Sequence, residues 1–179
     1  MTKAEETVRR ILAGRGIATR DDIEEFFSDK PSRTYDPFLL PDMEAGIGRI
    51  FDGLEKGEHI CIYGDYDVDG IMATVLLYRY FSALPGVRPN LSYHIPSRFD
   101  EGYGLNIGAL RDIEKGGANL VVTVDCGSVS KGEIAYAKDI GMDVVVTDHH
   151  DCDPALLPDC PVINPKNENS EYPGKHLSG

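Results

Sequence analysis

Aspartates and histidines occur in three short clusters along this chain, and each cluster directly follows an apolar run. The clusters are GDYDVDG at 64–70, DCG at 125–127 and DHH at 148–150. A single acid after a strand is ordinary because Asp and Gly favour turns, but three such clusters with a histidine pair are not. Carboxylate oxygens combined with imidazole favour manganese, magnesium or zinc, so the sequence predicts a site for one or two ions.

A site of this kind suits the hydrolysis of phosphodiesters. Two ions about 4 Å apart can clamp a phosphate and stabilise the leaving oxygen. Glycines flank the acids: Gly64 and Gly70 enclose the first cluster, and Gly127 closes the second. Because glycine tolerates backbone conformations that other residues avoid, we expect these positions to let the chain bend tightly around the site.

Two structural alternatives compete for the first cluster. Asp65, Asp67 and Asp69 match the first half of an EF-hand loop, but position twelve of that loop is Leu76 instead of glutamate, and an apolar strand replaces the preceding helix. The EF-hand interpretation therefore fails. Turn and cap chemistry would explain one acid, with Asp69 as the N-cap of the following helix, but not three acids at alternate positions.

The other two clusters also have structural alternatives. A strand-end turn is a fair competitor for Asp125 taken alone, and this alternative stays open. His149 and His150, with Cys152 and Cys160 nearby, suggest a structural zinc site. Their spacing fits no common zinc pattern, and the carboxylates outnumber the thiols, so the zinc interpretation is disfavoured.

The elements that must position these clusters alternate from residue 59 onward. Strand-like runs such as HICIY, LVVTV and MDVVVT are separated by helix-like stretches, which predicts an α/β fold with a largely parallel sheet flanked by helices. LVVTV and MDVVVT lack alternation, as expected of strands buried on both faces. Ligands of open α/β sheets bind beyond the carboxyl ends of the strands, so we expect the three clusters to converge there.

The preceding residues are predicted to form a separate helical lobe. A first helix ends near Gly14, Thr19 is the predicted N-cap of a second, and a third runs to about Lys56. We therefore expect an amino-terminal helical lobe at 1–57, which serves in packing, and an α/β domain at 58–179. One further short strand is predicted at Val162–Ile163.

The overall composition restricts the setting. No apolar run approaches the roughly 20 residues that span a bilayer, and the amino terminus is unlike a signal peptide. The four cysteines contain no C-x-x-C pair and are interpreted as reduced thiols of a cytoplasmic protein. The net charge of −12 disfavours phosphate contacts by itself. A nucleic-acid substrate would require metal ions to neutralise the contact and a grip supplied largely by another region.

The motifs together resemble a known family. An apolar strand with YGDYDVDG, followed by DCG and DHH, is similar to motifs I to III of the DHH phosphoesterases, and the segments IPSRFDEGYGLN (95–106) and INPKN (163–167) resemble RecJ exonucleases in particular. This resemblance implies metal-dependent 5′→3′ hydrolysis of single-stranded DNA in repair and recombination, with two manganese or magnesium ions. Protein partners are not indicated.

Two other functions are compatible with the wider family. Small-substrate members, which act on dinucleotides, nano-oligonucleotides or pyrophosphate, usually carry a histidine ahead of the first aspartates, where this chain has Asp65. A non-catalytic scaffold would have lost acids, whereas all three motifs keep theirs. The family pattern continues with a fourth acidic ligand and a further domain. We therefore expect a domain truncated at its carboxyl end that is weakly active or inactive alone.

The resemblance also implies roles for individual residues. The implied metal ligands are Asp65, Asp67, Asp69, Asp125 and His149. His150 would contact the scissile phosphate, and Asp148 would orient its neighbours as part of the catalytic set. Arg98 would contact a phosphate of the substrate, with a structural salt bridge as an open alternative. Tyr103 would stack on a base or serve in the core.

Overall fold

The protein is described by a computed structural model that covers residues 2–29, 35–85, 89–175 and 177. The chain divides into two compact units, Met1–Tyr35 and Asp36–Gly179. The described residues of the first unit form two helices, and those of the second form the sheet with its covering helices.

Five parallel strands form one sheet in the second unit. The strands are β1 (His59–Tyr63), β2 (Asn90–His94), β3 (Leu120–Val124), β4 (Asp143–Thr147) and β5 (Val162–Ile163). Their order across the sheet is β2-β1-β3-β4-β5, and every neighbouring pair is parallel. The predicted α/β fold with a parallel sheet is confirmed, and so is the short strand at Val162–Ile163.

Six α-helices are found in the described residues. They are α1 (Lys3–Gly14), α2 (Arg20–Phe26), α3 (Met43–Lys56), α4 (Val68–Ser82), α5 (Ile107–Lys115) and α6 (Lys131–Asp139), with a 3-10 turn at Pro37–Leu39 before α3. Thr2 and Thr19 begin α1 and α2 with capping boxes, as the sequence predicted for Thr19. Within the described ranges, no helix has both the length and the apolar character needed to cross a membrane.

The core lies on both faces of the sheet because successive strand residues point to opposite sides. On one face, Ile60 and Ile62 of β1 belong to a buried cluster with Ile50 and Leu54 of α3. On the other face, a second buried cluster joins strand residues to α5 and α6, whose Leu110 and Ile134 are fully buried. β3 is buried along its entire length, which agrees with the missing alternation in its sequence.

The sequence-based boundary between residues 57 and 58 assigns α3 to the helical lobe, whereas the structure places α3 in the same unit as the sheet. Ile50 and Leu54 pack in the core of the sheet, and Arg49 forms ion pairs of 2.6 Å with Glu58 and 2.7 Å with Asp143, the first residue of β4. The compact unit accordingly begins at Asp36. The sequence predicted this third helix, but its partner is a sheet formed by residues far along the chain.

Candidate metal centre

The three acidic clusters lie together because β1, β3 and β4 are neighbours in the sheet. Two groups of side chains have ligand atoms that all lie within 4.8 Å of one another. The first group is Asp65, Asp67 and Asp125, and the second is Asp125, His149 and His150. Asp125 belongs to both groups, so one carboxylate at the end of β3 joins the two halves of the site.

The loop after β1 is shaped by the start of α4. Asp67 is the N-cap of α4, and its Oδ1 accepts a hydrogen bond of 3.1 Å from the backbone N–H of Gly70. A Cβ atom at Gly70 would lie 2.5 Å from the backbone nitrogen of Asp65, so only glycine fits. The buried Thr74 hydroxyl donates to the Gly70 carbonyl at 2.7 Å. This turn holds Asp65 and Asp67 on the same side of the sheet edge.

The N-cap of α4 is not the residue that the sequence offered as a structural alternative. The sequence offered Asp69 as the alternative N-cap, but the helix begins earlier and Asp67 caps it. Asp69 lies in the first turn of α4 and belongs to neither group of potential ligands. Of the five ligands that the resemblance implied, the fold brings together Asp65, Asp67, Asp125 and His149, and it adds His150.

Asp125 has an unusual backbone and an unusual environment. Its φ of 62° lies in the left-handed region, which is uncommon for a residue other than glycine and often marks functional sites. The residue is 2% exposed, and its Oδ1 lies 2.8 Å from Nε2 of His149 without forming a hydrogen bond. The close contact therefore lacks hydrogen-bond geometry, although the charges of a carboxylate and an imidazolium would attract each other.

The donor atoms fit a divalent cation. Oδ1 of Asp65, in a residue that is 3% exposed, is also buried without a hydrogen-bond partner. Burying carboxylate oxygens without a partner is costly, and the two such oxygens in this chain's described carboxylates both belong to the Asp65–Asp67–Asp125 group. A cation would satisfy both oxygens. Neither Cys152 nor Cys160 joins a potential ligand group, which removes the main support for a structural zinc site.

The carboxylates of Asp67 and Asp125 influence each other. Burial and the negative charge of Asp67 raise the pKa of Asp125 to about 6. The backbone N–H of Gly70 lowers the pKa of Asp67 below its usual value. The two carboxylates therefore differ: Asp67 ionises more readily than a free aspartate, and Asp125 less readily.

The third cluster has a buried anchor in Asp148. Its carboxylate accepts hydrogen bonds from the backbone N–H groups of Ser128 at 3.0 Å and His149 at 2.7 Å, and its Oδ1 lies 2.8 Å from Nδ1 of His150. Burial alone would raise the pKa of Asp148, but the bonds from His150 and Ser128 outweigh it and the pKa is lowered. Asp148 is thus an ionised group whose oxygens are occupied by protein donors.

Tyr103 and Arg98 lie on loops beside the acids. The phenol oxygen of Tyr103 lies 3.2 Å from Nδ1 of His150, and its ring is more than half exposed, so the alternative of a core role is wrong. Tyr103 and His150 border an open cavity of about 310 Å³. Arg98 has its guanidinium 5.3 Å from the ring centre of Tyr66, between the first two acids. Among the described residues Arg98 forms no ion pair, so the salt-bridge alternative is not supported.

Sequence reasoning missed two buried polar residues, Ser128 and Asn164. Asn164 donates from Nδ2 to the Ser128 hydroxyl and to the carbonyl of His150. Both residues were visible only as members of longer motifs, DCGS and INPKN. Their spacing of 36 residues carries no signal, since only the sheet order brings the loops together.

The chain thus belongs to the class of parallel α/β folds, with clustered acids and two histidines beyond the carboxyl ends of the strands that could hold a metal ion. Residues 59–178 match the DHH family, N-terminal domain, and the chain belongs to that family.

Individual relatives agree with this assignment. The chain is 37% identical over 172 residues to the single-stranded-DNA-specific exonuclease RecJ of Bacillus subtilis, covering 96% of this chain and 22% of that protein. It is 35% identical over 173 residues to RecJ of Salmonella typhimurium, with 96% and 29% covered. A crystal structure of exonuclease RecJ bound to manganese superposes with a TM-score of 0.70 at 28% identity, over 79% of this chain and 35% of that one. The chain thus spans less than a third of the length of the Bacillus subtilis and Salmonella typhimurium proteins.

Proposed function

We propose that this chain is the metal-binding catalytic domain of a single-stranded-DNA exonuclease that acts in the 5′→3′ direction. One observation carries the proposal. Asp125 joins two groups of potential ligands at one sheet edge, in a chain similar to single-stranded-DNA-specific exonucleases along 96% of its length. The substrate rests on this similarity. The direction and a role in DNA repair and recombination rest on the resemblance of the sequence motifs, and a cytoplasmic location rests on the cysteine pattern.

Two manganese or magnesium ions would be held by the residues that the fold brings together. Asp65, Asp67 and Asp125 would hold one ion, and Asp125 with His149 would hold the other, with His150 also within reach. When bound, the ions would polarise the phosphate and neutralise charge developing on its oxygens. Asp69 is left out of this ligand set because its carboxylate joins neither group.

The two histidines would have different roles: His149 would bind a metal ion beside Asp125, and His150, held by Asp148, would contact the phosphate. Asp148 engages Nδ1 of His150 at 2.8 Å, which fixes the ring and favours a proton on that nitrogen. The other ring nitrogen, which lies 3.3 Å from the Tyr103 hydroxyl, would contact the scissile phosphate, and Asp148 would position the ring. Tyr103, whose hydroxyl contacts the same ring, lies where a nucleotide would approach.

Substrate contact must overcome the charge of the chain. With a net charge of −12, the protein repels a phosphate backbone at long range. The cations would neutralise the contact at the site, and Arg98 is an exposed cation beside the acidic loop that would contact a neighbouring phosphate. The acidic balance agrees with a domain that receives much of its grip on single-stranded DNA from elsewhere.

The test is hydrolysis of a single strand labelled at its 3′ end, with enzyme in excess so that weak activity is measured. We expect manganese-dependent shortening from the 5′ end, no reaction with a chelator and at least a hundredfold loss in Asp125→Asn. Faster turnover of a dinucleotide or of pyrophosphate would instead assign the chain to the small-substrate class. Tight manganese binding without hydrolysis of any of these substrates would indicate a scaffold.

A further inference from the structure

Asn164 is a fully buried amide at the carboxyl end of β5, with an exposure of 0%. Its Nδ2 donates to the Ser128 hydroxyl at 2.8 Å and to the carbonyl oxygen of His150 at 2.9 Å. Its Oδ1 accepts from the backbone N–H of Lys166 at 2.8 Å. Because a backbone N–H can only donate and a carbonyl can only accept, these partners determine the orientation of the amide. The side chain is therefore held in a single arrangement.

Through these bonds Asn164 connects the loops after three different strands. Ser128 follows β3, and its backbone N–H donates to Oδ2 of Asp148 at 3.0 Å, while its side chain also helps to keep that carboxylate ionised. Asp148 follows β4 and holds the ring of His150 at 2.8 Å. The amide therefore supports residues 148–150 at two points. One is indirect, through Ser128 to Asp148, and the other is its own bond to the His150 carbonyl.

The supported loop carries the two histidines that lie beside Asp125. His149 lies between the two supported residues, and its Nε2 is 2.8 Å from Oδ1 of Asp125. A shift of the His150 carbonyl would move both imidazole rings relative to Asp125. An apolar residue at position 164 would leave the carbonyl of His150 and the hydroxyl of Ser128 without this donor, and the loop would have to move to satisfy them.

We propose that Asn164 is a positioning residue that sets the DHH loop, through Ser128 and the His150 carbonyl, in the geometry needed for metal binding and hydrolysis. The inference deepens the proposed function and rests on it for the hydrolytic step. Partners outside the immediate ligand set commonly change metal affinity by 10- to 100-fold, so an effect of that size is expected here.

The test compares Asn164→Ala with Asn167→Ala in the same loop. Asn167 is also buried, but its Oδ1 accepts from the backbone N–H of Asn169 at 3.3 Å, and no bond from its side chain to residues 148–150 is present among the described residues. Manganese affinity is measured by titration calorimetry, and metal-free stability by thermal unfolding. We expect Asn164→Ala to bind manganese at least tenfold more weakly, and Asn167→Ala to match the unsubstituted chain.

Two further variants keep the test decisive if Asn164→Ala folds poorly. Asn164→Asp keeps the size and the acceptor oxygen but removes both donors, so it should weaken manganese binding like alanine. Ser128→Ala removes only one link and should weaken binding about threefold, and its effect should not add to that of Asn164→Ala because both act through one hydrogen-bond chain.

Equal manganese affinity and equal turnover in Asn164→Ala and Asn167→Ala would overturn the positioning role, even if the unsubstituted chain degrades DNA. Conversely, manganese binding with no shortening of single strands, even with enzyme in excess and at high manganese, would refute hydrolysis by this chain. The calorimetric comparison would still decide the role of Asn164, so the two failures are distinguishable.

Discussion

Nε2 of His149 lies 2.8 Å from Oδ1 of Asp125, at the point where the loops after β3 and β4 meet. The two atoms come this close without hydrogen-bond geometry, and Asp125 also approaches Asp67 and Asp65. A cation bound between these side chains would offset the repulsion between the carboxylates and would be coordinated by several of them at once. The predictions below test whether the crowded carboxylates serve metal binding or the stability of the fold.

Asp125→Asn should reduce manganese affinity at least tenfold, because it removes the charged ligand shared by both groups. Titration calorimetry measures the effect. Asp139→Asn is the matched control, since Asp139 is an exposed aspartate at the end of α6 that belongs to neither group. Equal binding by the two variants would remove Asp125 from the metal site.

The metal-free protein should be destabilised by Asp125 at neutral pH. The pKa of Asp125 is raised to about 6 in the folded chain, against about 3.9 for an unfolded aspartate. Its protonated form therefore favours the folded state below pH 4, and this contribution disappears as the pH rises through 6. Asp125→Asn should raise the melting temperature above pH 6 in chelator and lose this advantage below pH 4. A pH-independent difference would show that the carboxylate does not titrate in this way.

Asp67 should serve in both roles, and two variants separate them. Asparagine can still accept the Gly70 N–H as an N-cap, whereas alanine cannot, so Asp67→Ala should cost about 1 kcal/mol of metal-free stability and Asp67→Asn little. Both variants should lose manganese affinity at least tenfold. Thermal unfolding in chelator and calorimetry with manganese report the two roles separately. A purely structural aspartate would leave manganese binding by Asp67→Asn intact.

Gly70→Ala should disrupt the first cluster, because the new Cβ would lie 2.5 Å from the backbone nitrogen of Asp65. We expect a lower melting temperature and weaker manganese binding. Gly48→Ala is the control, since nothing lies within 4 Å of a Cβ at this exposed position of α3, and alanine there should stabilise the chain by about 0.5–1 kcal/mol. The outcome that contradicts this account is Gly70→Ala behaving like Gly48→Ala.

The start of α4 shows most clearly what the sequence could predict and what it could not. The sequence showed three alternate aspartates before a helix and offered Asp69 as the N-cap, two residues beyond the cap that the structure has. In the structure Asp67 is the N-cap of α4 and accepts the backbone N–H of Gly70, and a Cβ at Gly70 would meet the backbone of Asp65. Asp69 thereby moves into the first turn of α4 and leaves the ligand groups.

The sequence by itself determined the parallel α/β architecture and the edge at which the acids converge. Apolar runs followed by Asp and Gly mark buried strands and their carboxyl ends, and parallel strands place those ends at one edge. Only the tertiary structure decided that α3 covers the sheet, that Asp125 is shared, and that Asn164 supports His150. These relationships join residues far apart in the chain, and they depend on the strand order and on side-chain packing, which local sequence patterns do not encode.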